Sequence, residues 1–146
     1  MFNIEKFKSG ATQAAGSTFV KPIPVKEYPA IIEDYKLDTG NKDGRTWVAA
    51  DIIYLLMDPA VAKEIGREKL TVRQRIFLDT TESGDLDMSE GRNVNLNKLR
   101  DALGQNVAGK IWGFDHLKGQ QVKVKTKLRV GNNDIPYAEV DYVGKP

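Results

Sequence analysis

"QQVKVKTKLRV", residues Gln120–Val130, decides how the chain folds. Read with a period of two, Val122, Val124, Thr126, Leu128 and Val130 fall on one face, and Lys123, Lys125, Lys127 and Arg129 on the other. Successive side chains of a strand point to opposite faces, so this is a half-buried strand with a row of four cations along its outside. Like charges in a row repel, which raises the question of what compensates them.

The neighbouring text extends the β reading in both directions. Downstream, a four-residue turn "GNND" (131–134) leads to a last strand "IPYAEVDYV" (135–143). Upstream, "KLTVRQRIFLDTT" (69–81) alternates again: Leu70, Val72, Gln74, Ile76 and Leu78 share one face, and Thr71, Arg73, Arg75 and Phe77 the other. "EYPAIIEDYKLD" (27–38) and the mostly apolar "TWVAADIIYLLMD" (46–58) read as two further strands, joined by a polar loop "TGNKDGR".

Helical signals are few. "PAVAKEIGRE" (59–68) predicts a short helical insertion, with Asp58 as N-cap, Pro59 in the first turn and Gly66 near its end. "NLNKLRDALGQN" (95–106) predicts the main helix, capped by Asn95, striped by Leu96, Leu99 and Leu103, and closed by Gly104. Residues 1–22, polar and rich in small side chains, predict a flexible leader in which Phe2, Ile4 and Phe7 could dock. A single domain over 23–146 follows.

Three strands, a helix and two strands is the order of an OB-fold, a five-stranded Greek-key barrel with its helix between the third and fourth strands. Here it would carry the short helical insertion between strands 2 and 3. The rival is an α+β sandwich with the same strands in an open sheet.

Composition narrows the chemistry. The chain has 146 residues, a net charge of +2, no cysteine and one histidine, His116. Disulfides, thiol catalysis and cysteine-ligated zinc are excluded, and a histidine-based metal or catalytic site is not expected. Absence of cysteine fits a reducing compartment such as a host cytoplasm, and no apolar run approaches the ~20 residues that cross a bilayer, so no membrane association is expected. No glycine-rich phosphate loop, nucleophile elbow or paired-histidine motif is present, so neither an enzyme nor a cofactor is expected. Asp79, Glu82, Asp85, Asp87 and Glu90 form an acidic run, but their spacing does not match a calcium loop, and no metal is expected there.

An OB-fold binds along strands 2 and 3 and the loops joining strands 1–2 and 4–5. In this sequence those places hold Lys42 and Arg45, Trp47, then Arg73, Arg75 and Phe77, then Asn132 with Tyr137, beside the row Lys123, Lys125, Lys127 and Arg129. Cations interleaved with flat rings suit single-stranded nucleic acid, since phosphates take the charge and unstacked bases take the π-surface. Each has a plainer reading. Trp47 reads more readily as core than as a stacking platform, Phe77 as either, and the cationic row as a solvated face or as protection of a strand edge. Trp112 and Phe114 are expected to plug one end of the barrel.

The second half, "GRNVNLNKLRDALGQN…HLKGQQVKVKTKLRVGNNDIPYAEVDYV", together with the opening strand "EYPAIIEDYKL", resembles bacteriophage single-stranded DNA-binding proteins of the OB-fold type. The shared features are a leucine-rich helix ending in "LG", the pattern L-x-G-x-x-V-x-V, a basic strand, a polar turn and a final strand. The resemblance covers about residues 24–143. It implies a protein that coats single-stranded DNA in phage replication or recombination, with little sequence preference and no cofactor. Replication or recombination proteins and further copies of the chain would be its partners. Many such proteins end in an acidic tail that recruits others; this sequence ends "YVGKP", so recruitment of that kind is not expected. The alternatives are a protein-interaction module and a binder of single-stranded RNA.

Overall fold

The computed structural model describes residues 1–146. The elements in order are α1 (Ile4–Ser9), β1 (Glu27–Lys42), β2 (Arg45–Leu56), α2 (Pro59–Ile65), β3 (Leu70–Leu78), α3 (Val94–Ala102), a 3-10 turn (Phe114–Leu117), β4 (Gln121–Val130) and β5 (Pro136–Gly144). The protein is mainly β. All five strands lie in one antiparallel sheet in the order β3-β2-β1-β4-β5. No helix is long and apolar enough to cross a membrane.

The sheet coils around a single core to which every strand contributes: Tyr28 and Ile32 from β1, Ile52 and Tyr54 from β2, Leu70 and Ile76 from β3, Val122 and Val124 from β4, Val140 from β5. Leu96 and Leu99 of α3 and Leu117 join them. Gln74 is the polar residue among the inward positions of β3, and it accepts a hydrogen bond from the buried Tyr54 hydroxyl at 2.7 Å. Burial holds that phenol protonated, well above its ordinary range.

Four expectations need correction. The expected closed barrel is not closed by hydrogen bonds: β3 and β5 run close together without a ladder, and α3 packs near both. The expected loop between the first two strands is a tight hairpin. Asp43 (φ 52°) and Gly44 (φ 77°) are both left-handed, a geometry whose twist matches that of the flanking strands, so the ladder runs to Lys42 and Arg45. Leu128 and Val130 are exposed, because β1 begins opposite Lys125 and leaves the far half of β4 with only β5 beside it. Asn95 does not cap α3; the helix begins at Val94, and Asn93 precedes it with φ 51°.

Residues 1–22 include no buried residue, and α1 holds Phe2 against Phe7 with ring centroids 4.8 Å apart. The α2 expectation matches: Asp58 accepts from the Val61 amide at 3.1 Å, and Gly66 ends the helix in the left-handed region. Trp112 and Phe114 are half-buried against the core. His116 turns its ring back onto the backbone of Gly113.

Candidate functional site

On the outer face of the sheet, register sets up three rows. Gly40 pairs with Trp47; Asp38 pairs with Ala49, which pairs with Phe77; Lys36 pairs with Asp51, which pairs with Arg75. Small residues at Gly40 and Ala49 give these rows a low floor. The Trp47 indole lies across Gly40 so closely that a Cβ there would sit 2.6 Å from Cζ2. Ala49 is fully buried although it lies outside the core, so outer-face side chains cover it.

At the hairpin end of this face Lys42, Asp43, Arg45, Trp47, Arg75 and Phe77 line a groove of about 750 Å³. Phe77 is 63% exposed, and its ring stands edge-on to the half-buried Trp47 with centroids 6.0 Å apart and planes at 78°. Rings set this way cannot sandwich a third ring between them, but each presents a surface to the groove. Lys42 and Arg45 flank the turn and form no ion pair.

Arg75 is different. Its Nε and one terminal nitrogen each donate to Asp51 at 2.9 Å, and that nitrogen also reaches Asp38 at 3.2 Å. Hydrogen bonds from Arg75 hold the Asp51 carboxyl below the usual carboxylate range, against the upward push of its burial. Sequence reasoning missed Asp38 and Asp51. The available signal was a lone carboxylate inside the apolar run of β2. Arg73, one row further on, is exposed and unpaired, and shares a shallower depression with Lys36, Asp38 and Asp51.

No family model matches the chain, and no curated protein matches it.

The remaining expected residues gather elsewhere. Lys123 pairs with Pro29 and Lys125 with Glu27 at the opposite end of β1, so β1 and β2 separate this row from β3. Its charge is partly met within the protein: Glu27 lies 3.8 Å from Lys123 and accepts from the Tyr142 hydroxyl, and Glu139 lies 3.3 Å from Arg129. Lys125 and Lys127 have no such partner. Tyr137 is half-exposed, opposite Arg129. Asn132 is exposed in the turn between β4 and β5. The structure thus brings together Lys42, Arg45, Trp47, Arg75 and Phe77, leaves Arg73 adjacent, and sets the β4–β5 group apart.

Proposed function

We propose that the chain binds single-stranded DNA through the hairpin-end groove, without sequence preference, in the manner of an OB-fold. The strand order, with β3 and β5 side by side and α3 between β3 and β4 in the chain, becomes that of an OB barrel once the β3–β5 seam is drawn together. The observation that carries the reading is Phe77. Leaving a phenylalanine in water forgoes about 1.5–3 kcal/mol of burial. Here it stands exposed next to a second ring, with unpaired cations on the rim. A ligand with flat apolar rings and regularly spaced negative charges answers both features. Coating of single strands in phage DNA replication or recombination is the setting that this activity would serve.

Quenching of tryptophan emission by oligo-dT, titrated at two salt concentrations, tests it. For an oligo-dT of about 4 nucleotides, Lys42, Arg45 and Arg73 as the phosphate contacts predict a log–log salt slope of about −2, at about −0.7 per contact. Phe77→Ala is expected to cost about 1–3 kcal/mol, a loss of roughly tenfold to a hundredfold in affinity. Absence of binding at low salt rejects the reading. Weak, non-saturating binding points instead to a protein-interaction module, and competition by oligo-U measures any preference for RNA.

A further inference from the structure

Three cations line the groove, and one of them is already neutralised. Asp51 is 4% exposed although it sits on the outer face of β2, and a buried carboxylate requires a partner. Arg75 supplies it with two parallel hydrogen bonds of 2.9 Å, a fork that fixes the guanidinium in plane as well as in position. By also reaching Asp38, the guanidinium spans β2 from β3 to β1. Two carboxylates on one guanidinium leave the trio at −1, so Arg75 itself offers an arriving phosphate no uncompensated charge. The same guanidinium carbon lies 5.5 Å from the centre of the Trp47 ring, within the range of a cation–π contact. The indole therefore rests against Gly40 from β1 and against Arg75 from β3.

We propose that Asp51 is a positioning residue, which turns Arg75 from a phosphate contact into a brace that holds the Trp47 indole ready for a base. The proposal rests on the nucleic-acid reading of the groove. It divides the cations by role: Lys42, Arg45 and Arg73 neutralise phosphates, and Arg75 does not. A structural ion pair that served stability alone would also remove Arg75 from the phosphate contacts, but its loss would leave the Trp47 indole in place.

The test has an arm without DNA and an arm with it. In a Trp112→Phe background Trp47 is the sole tryptophan of the two in the sequence. Adding Asp51→Asn is expected to raise the quenching of its emission by acrylamide, while circular dichroism confirms the fold. Unchanged quenching overturns the brace. In the second arm, the double variant Asp51→Asn with Arg75→Gln, which removes one charge of each sign and leaves no unpaired buried charge, is expected to weaken oligo-dT binding about tenfold at every salt concentration, as a loosened stacking platform would. The salt slope should stay the same, whereas loss of a phosphate contact would make it shallower by about 0.7, and that result overturns the proposal. A double variant that binds as tightly as the unaltered chain overturns it as well. Failure of the unaltered chain to bind any oligonucleotide rejects the nucleic-acid reading, and the acrylamide arm still decides the brace.

Discussion

Gly40 lacks a side chain at the place where Trp47 needs room. Its φ is not in the left-handed region, so the backbone would accept alanine, but the added Cβ would meet the indole at 2.6 and 2.7 Å. Gly40→Ala should therefore keep the fold and push the ring off its seat. The expected result is a thermal midpoint close to that of the unaltered chain with about tenfold weaker binding of oligo-dT, read by melting and by fluorescence titration on the same sample. A ring that stayed in place would leave affinity unchanged. At this scale the sequence was partly legible. Phe77 reads as either core or surface, with Arg73 and Arg75 on its face as the signal for exposure, and it is exposed. Trp47 reads more readily as core, since an indole at the start of an apolar strand is more often buried than exposed, and it is half-buried on the outer face. The pairing of Arg75 with Asp51 and Asp38 depends on how three strands register, which alternation along one strand does not encode.

Among the elements, β4 and α3 show how polar side chains are compensated. The four cations of β4 are interrupted by acids from both neighbours, Glu27 on β1 and Glu139 on β5, so its repulsion is relieved at the two ends of the row. The acidic run before α3 is organised by Asn93. Its Oδ1 accepts from the Asp79 amide at 2.8 Å, and its Nδ2 donates to the carbonyls of Asp79 and Asp87 at 2.8 and 3.0 Å. Asn93 is buried and left-handed, a conformation that asparagine tolerates better than most residues. Asn93→Ala is expected to lower stability by about 2–4 kcal/mol, from unpaired buried groups and backbone strain together. Asn95→Ala, at the position that the helical pattern singles out as the cap, should lie within about 0.5 kcal/mol of the unaltered chain. Urea denaturation of both variants checks the contrast, and equal losses would contradict the assignment. Both asparagines precede the leucine stripe, so only the backbone angle and the partners across the acidic run distinguish them.

For the molecule as a whole, element order was legible and closure was not. The alternating strands and the leucine-striped helix report which faces are apolar, but whether β3 and β5 share hydrogen bonds depends on the final curl of the sheet. The same limit applies to the proposed binding surface. Spacing in sequence places Arg73, Arg75 and Lys123–Arg129 in one inventory, whereas register places them at two ends of β1: the lysines begin opposite residue 29, and Trp47 lies opposite residue 40. At ~3.3 Å per residue that stretch of strand spans at most ~36 Å, shortened by the bulge between Ile32 and Asp34. Single-strand footprints on OB-folds run from about 4 to about 16 nucleotides. A short strand can then fill the groove without touching β4, and a long one can reach both. The variant Lys125→Gln with Lys127→Gln removes the two cations of the row that lack acidic partners. It is expected to leave binding of an oligo-dT of about 4 nucleotides unchanged, and to make the salt slope of one of about 16 shallower by about 1.4. If the short oligonucleotide loses affinity as well, the two clusters act as one surface, and the separation read from the β1 register does not govern binding.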